Sequence, residues 1–324
     1  MTTTPIERGL RPPAPSSVSP EAKYYLTLIQ DVAPLLYPEA ADEAAWDKWI
    51  ALQENALHTK FTAALPPDDH YRHARSIVAG VPVHVVTPAS VPNGDETPLF
   101  LQLHGGAMVM GGGDLAWMES ATLASRRPGV TWVPDYRMLP RHPYPAALDD
   151  AIAVYRAALK TRAPQRIVVV GASAGGNLAA ALLMRARDEG LPLPAALVLQ
   201  TPEVDLTESG DTFRTNVGID ILGSLMPLNM LYAGGHQLTH PYLSPLFGDL
   251  AGLPPTFLQS GTRDLFLSNT VRMHRRLLAF GVEAELHIFE GMPHAGFTGN
   301  APEDLELIAE VRRFEDRHLG PSVA

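Results

Sequence analysis

The segment 166–183 reads RIVVVGASAGGNLAAALL. A run of β-formers ends at Gly171-Ala172-Ser173-Ala174-Gly175, and an Ala- and Leu-rich helical stretch follows at once. A serine at the apex of a strand–turn–helix, spaced G-x-S-x-G, has the form of a nucleophile elbow. Small neighbours are needed because the serine backbone is strained there and adjoining chains come close. The helix start behind Ser173 adds free N–H groups and a partial positive charge, which favour a developing oxyanion. Alone, the five-residue pattern is weak. A serine that transfers acyl groups also needs a base, a carboxylate to orient that base, and N–H donors for the oxyanion.

In chain order, an elbow serine of this type is followed by its acid and then its histidine. Among the twelve histidines, His287, His294 and His318 are the candidates late in the chain. His287 falls inside the apparent strand AELHIFE, and His318 near the end of the last helix, where a surface histidine complements the dipole. His294 follows a strand, in the loop Glu290-Gly291-Met292-Pro293-His294-Ala295-Gly296-Phe297, and is the candidate base. Asp264 follows the strand TFLQSG in a loop at the C-terminal edge, where sites on open α/β sheets collect. It is preferred as the acid over Asp205, which comes one strand earlier. Upstream, His104-Gly105-Gly106-Ala107 leaves another strand, and its glycines let a backbone approach a substrate and aim N–H groups at it. Gly111-Gly112-Gly113 lacks the Lys and Ser/Thr of a phosphate loop and is taken as flexible. His236 and His240 have the i, i+4 spacing of helical zinc ligands, but Gly234-Gly235 and Pro241 argue against a helix there, so no metal is expected.

The elements that must position these residues alternate. Strands are expected at 98–103, 130–134, 167–170, 195–199, 255–259 and 283–289, with a hairpin or strand pair around Gly80 at 76–88. Helices are expected at 148–159, from the elbow to about Asp188, at 267–280 and at 302–318. This rhythm argues for a mostly parallel sheet covered on both faces. Residues 1–18, rich in Pro, Ser and Thr, form a loose tail. Ser19 caps a helix with Pro20 at N1. A second helix over about 41–61 carries Trp46, Ile50, Leu52 and Leu57 as its apolar members. Residues 207–253 break the rhythm and form an insertion.

Composition narrows the partners. The chain has 324 residues, 46% of them hydrophobic, and a net charge of −10 without a long basic run. Nucleic acid and anionic membrane surfaces are therefore poor partners. There is no cysteine, hence no disulfide or thiol chemistry, which fits a cytoplasmic protein. The N-terminus lacks the apolar core of a signal peptide, and no stretch reaches the length of a membrane span.

Taken together, His104-Gly105-Gly106-Ala107, Asp135-Tyr136-Arg137 with Pro140 and Pro143-Tyr144-Pro145-Ala146, Gly171-Ala172-Ser173-Ala174-Gly175-Gly176-Asn177, Asp264 and His294 resemble the hormone-sensitive-lipase family of α/β-hydrolases, the bacterial type IV esterases. The resemblance covers the chain from about residue 75 to its end. It implies an α/β-hydrolase fold with a mostly parallel eight-stranded sheet flanked by helices. A helical cap would comprise residues 19–74 and 207–253, over a catalytic domain of 75–206 and 254–324. It implies a serine carboxylic-ester hydrolase for short- to medium-chain esters or lactones, with no cofactor. Ser173 would be the nucleophile, His294 the base and Asp264 its orienter. Gly106, Ala107 and the N–H of Ala174 would hold the oxyanion, with Gly105 shaping the loop and His104 bracing it. Ala107 replaces the family's third glycine and can donate if its φ is negative. Ala172 replaces an aspartate beside the nucleophile, Arg141 replaces an acid after the Tyr-Arg motif, and Glu203 puts an acid after a strand near the site. A non-catalytic small-molecule binder, or an amidase or thioesterase with the same triad, are the alternatives. The strand at 283–289 could be a sheet edge and a homodimer surface.

Overall fold

A computed structural model describes residues 12–29, 35–92, 94, 97–124, 127, 129–297, 299 and 301–319. Eight strands form one sheet: β1 (Tyr71–Val78), β2 (Val81–Pro88), β3 (Leu99–Leu103), β4 (Val130–Pro134), β5 (Ile167–Ala172), β6 (Ala196–Gln200), β7 (Thr256–Gly261) and β8 (Ala284–Phe289). Their order across the sheet is β1-β2-β4-β3-β5-β6-β7-β8. β2 runs antiparallel to both its neighbours, and the strands from β4 to β8 are parallel. β3, β5 and β6 consist mainly of Val, Leu, Ile and Phe buried on both faces, as a helix-covered parallel sheet demands.

The helices are α1 (Pro20–Leu28), α2 (Glu43–Ala64), α3 (Asp114–Ala124), α4 (Ala146–Thr161), α5 (Ala174–Asp188), α6 (Thr212–Thr215), α7 (Met226–Ala233), α8 (Leu267–Ala279) and α9 (Pro302–Leu319). One apolar cluster joins one face of the sheet to α4, α5, α7 and α8. A second joins the other face to α1 and α9 through Phe100, Val168, Val198, Phe257 and Phe314. Among the described residues no helix is long and apolar enough to cross a membrane.

Several expectations shift. α3 was not anticipated. Leu115, Ala116, Met118, Ser120 and Ala121 are all buried, so the helix has no single apolar stripe to betray it. The loose tail lies outside the described residues for 1–11, but residues 12–18 are docked. Arg263 donates to the carbonyls of Pro12 and Pro13 at 3.0 and 2.7 Å, and Val18 is buried. β1 starts at Tyr71, inside the segment 19–74 expected to hold only helices. Ser19 does cap α1, through Ala22 N–H at 3.1 Å. In α2 only Trp46 is buried, and Leu52 is 67% exposed. The helix lies across the surface, touching α3; Trp46, Trp49 and Ile50 pack on the main apolar cluster, while Leu52 faces outward.

Candidate active site

Strand register brings the candidate residues together. β3 pairs with β5 as far as Leu103 and Gly171, so the loop from His104 leaves the sheet beside the elbow at Ser173. β5 pairs with β6 as far as Ala172 and Gln200, which sets Thr201-Pro202-Glu203 on the elbow's other flank. β7 and β8 pair as far as Gly261 and Phe289, so the loops carrying Asp264 and His294 start at one level. All of these are C-terminal ends of parallel strands, where ligands bind in open α/β sheets.

Ser173 sits at φ 56°, ψ −123°, a backbone region costly for a side-chain-bearing residue. The turn is held by Ser173 N–H donating to Gln200 O at 2.9 Å. Ser173 O in turn accepts from the N–H groups of Gly176, Asn177 and Glu203. Gly175 is required by close approach: a Cβ there would lie 2.0 Å from Leu103 O.

The glycine loop is braced from behind. His104 Nδ1 lies 2.8 Å from Gly105 O, the geometry of an Nδ1–H donor, and its ring stacks on Tyr136 at 4.1 Å. Burial pushes the His104 pKa down to about 4, so the ring is neutral. Tyr136 Oη donates to His104 O at 2.7 Å. Gly106 has φ 113°, and a Cβ there would lie 2.0 Å from Met110 O, so only glycine fits. Gly105 lies against the elbow, where a Cβ would stand 3.2 Å from Ala172 O. Ala107 does not meet the condition of negative φ set for it as a donor. It stands at +53°, and Met108 follows at +58°. The reversal after Gly106 lets Gly106 O accept from both Val109 and Met110 N–H, and that tight turn forces two left-handed residues in succession. Among the described residues, the backbone N–H groups of Gly106, Ala107 and Ala174 donate to no protein acceptor. They are the donors that an oxyanion would need.

On the other side, Asp264 and His294 meet. His294 Nδ1 lies 3.0 Å from Asp264 Oδ1, and both residues are buried. Asp264 Oδ1 also accepts from Phe266 N–H at 2.9 Å, and Oδ2 from Ser260 Oγ at 2.5 Å. Burial works to lower the His294 pKa. The hydrogen bond to Asp264 and the charges of Asp264 and Asp220 outweigh it and raise the pKa above the ordinary histidine value. Among the described residues no hydrogen bond joins Ser173 Oγ to the His294 ring. Such bonds are often long without substrate and tighten on binding.

Asp220 is a site residue that sequence reasoning missed. It lies in the 207–253 insertion, and its carboxylate accepts from the N–H groups of His294 and Leu265 at 2.9 and 2.5 Å. Ligand atoms of Asp220, Asp264 and His294 all fall within 4.8 Å of one another. This set is not built for a cation. Asp220 Oδ1 accepts from two N–H groups and Oδ2 from one, and both Asp264 oxygens are likewise occupied. The segment ends Asn216-Val217-Gly218-Ile219-Asp220 showed no periodicity or motif, so nothing local marked this aspartate.

The remaining candidates have structural partners. Asp205 binds Arg272 at 2.6 Å and Thr207 and Ser209 through their hydroxyls. Burial pushes its pKa up, but these bonds prevail and hold it below the ordinary value. His287 Nδ1 lies 2.6 Å from Glu310, and His318 Nε2 3.5 Å from Glu283. His236 and His240 lie beyond the end of α7 and pack around the Tyr144 ring at 5.2 and 5.6 Å. Arg141 clasps Asp47 of α2 with 2.9 Å bonds. Glu203 is buried, its backbone N–H binds Ser173 O at 3.2 Å, and its Oε1 accepts from Asn229 at 2.9 Å. Burial pushes its pKa up to about 8. A separate cavity of about 570 Å³, lined by Glu54, His58, Asp114, Asp135 and Met138 among others, contains none of these catalytic candidates.

Residues 100–298 match the family described as the alpha/beta hydrolase fold. An esterase of Acinetobacter venetianus is 34% identical over 228 residues, 67% of this chain and 74% of that protein. An acetyl-hydrolase of Streptomyces hygroscopicus is 34% identical over 199 residues, 60% of this chain and 67% of that protein. The crystal structure of an esterase from the bacterial hormone-sensitive lipase family superposes with a TM-score of 0.82 at 32% identity, over 93% of this chain and 99% of that one. The chain belongs to the hormone-sensitive-lipase family of α/β-hydrolases, and it is a carboxylesterase.

Proposed function

We propose that the protein hydrolyses short- to medium-chain carboxylic esters, or lactones, through an acyl-enzyme on Ser173. The observation that carries this reading is the buried Asp264–His294 pair at 3.0 Å, held at the same end of the sheet as the strained serine turn. His294 Nε2 takes the Ser173 proton as Oγ attacks the ester carbonyl. Asp264 holds the Nδ1–H tautomer and stabilises the imidazolium. The N–H groups of Gly106, Ala107 and Ala174 receive the oxyanion. The proton passes to the leaving alcohol, and water activated by His294 then releases the acid. α2 and the 207–253 insertion act as the cap over the acyl pocket. Arg141 supports this reading by fastening α2 to the catalytic domain. An acetyl-hydrolase among the relatives supports a small acyl group. A homodimer through β8 is part of the proposal, supported by its place at the end of the sheet and the 39% exposure of Ile288.

The test is hydrolysis of p-nitrophenyl butyrate by Ser173→Ala. A loss of about 10⁴-fold or more in kcat is expected. Undiminished turnover would remove Ser173 from the mechanism.

A further inference from the structure

The insertion and both catalytic loops converge on one side chain. Asp220 Oδ1 accepts from the backbone N–H of His294 at 2.9 Å, and Oδ2 from the N–H of Leu265, the residue after Asp264, at 2.5 Å. Four residues earlier, Asn216 Nδ2 donates to Asp264 O at 2.8 Å and Thr262 O at 3.2 Å. Thr212, at the start of α6, donates through Oγ1 to Leu265 O at 2.8 Å. Segment 212–220 is thus stitched to the acid loop at several points, and Asp220 alone among these residues also binds the base loop. A buried carboxylate within 4.8 Å of a second one is electrostatically unfavourable unless something compensates. The compensation here is the N–H donors and the shared imidazole.

We propose that Asp220 is a positioning residue of the catalytic triad: one carboxylate from the insertion bridges the acid and base loops and places a second negative charge beside the His294 imidazole. This rests on the triad reading above. With Asp220 seated, the His294 loop cannot drift from Asp264 without breaking a buried charge-assisted hydrogen bond. The charge also acts directly, since a nearby anion favours imidazolium. The groups facing His294 and Asp220 are Asp264 from the β7–α8 loop, Glu203 from the β6 end and Tyr25 from α1. Asp220 has its own pKa pushed up to about 6, first by burial and then by Asp264. The same cluster of carboxylates raises the His294 pKa above the ordinary histidine value.

The experiment compares kcat and KM for p-nitrophenyl butyrate from pH 5 to 9 in the parent, Asp220→Asn and Asp220→Glu. In Asp220→Asn the amide must turn its NH₂ towards one of the two N–H donors, so one bridge is lost, and the charge is gone. Its kcat is expected to fall by about 10- to 100-fold, with KM little changed. Its acid limb should move to lower pH by about one unit. Asp220→Glu keeps the charge but misplaces it, so kcat falls while the acid limb stays. An Asn variant whose acid limb superimposes on the parent's would overturn the proposal, as would a Glu variant with the parent's kcat. If Asp220→Asn does not fold, the split between kcat and pH midpoint in Asp220→Glu decides alone. Failure of the triad reading would show separately, as turnover surviving in Ser173→Ala.

Discussion

The two halves of the site are held in opposite ways. Around Asp264 and His294 each carboxylate oxygen is occupied, the ring is buried, and three loops are cross-bonded. Around Ser173 the backbone stands at positive φ, Ala107 and Met108 do likewise, and three N–H groups have no protein acceptor among the described residues. The acid–base half is thus complete without substrate. In the proposed mechanism the nucleophile half is completed by substrate, its donors meeting charge that exists only during the reaction. This is the preorganisation that electrostatic catalysis needs, and the strain beside it is held by the packed sheet underneath.

The contrast can be broken from either side. On the bonded half, Asp264→Asn should leave the fold intact and lower kcat by about 10⁴-fold, because the amide stabilises the wrong imidazole tautomer. A loss of less than tenfold in steady-state assays would mean that another group orients His294. On the boundary between the halves, Glu203 tests burial. A carboxyl whose folded pKa is raised to about 8 ionises first in the unfolded chain. Its penalty is absent below the ordinary carboxylate range and grows as pH rises towards 8. Glu203→Gln should therefore lose less thermal stability than the parent between pH 5 and pH 8. Parallel losses in the two proteins, followed by circular dichroism, would show that Glu203 is ionised in the fold. On the strained half, Ala107→Gly should relieve a left-handed conformation and raise stability by about 1 kcal/mol, with kcat/KM little changed. An unchanged or lower Tm would mean that the alanine methyl packs well enough to offset the strain.

How much was legible in the chain follows the same division. The elbow and the glycine loop are local: their small residues are dictated by close approaches a few residues away, such as Gly175 against Leu103. They can therefore be read from short motifs. The central parallel strands were legible from their apolar runs, because burial on both faces leaves few polar residues in β3, β5 and β6. Asp264 and His294 could be placed only by order along the chain, and the 3.0 Å between them is set by the register of β7 against β8. Asp220 was invisible, since its partners lie 45 and 74 residues away and nothing near it is patterned. Donation by Ala107 was tied to a negative φ, which its backbone does not have. A backbone reversal is set by the hydrogen bonds to Gly106 O, and residue type alone does not report those. α3 escaped because burial on several sides erases the periodicity by which helices are found.

The proposed acyl-enzyme mechanism requires Ser173 to become acylated. Mass spectrometry of His294→Ala quenched early in its reaction with p-nitrophenyl butyrate tests this most directly. A butyryl group on the peptide containing Ser173 is expected, because acyl release depends on His294 even more than acyl transfer from an activated ester does. Turnover with no adduct, or an adduct confined to another residue, would contradict it.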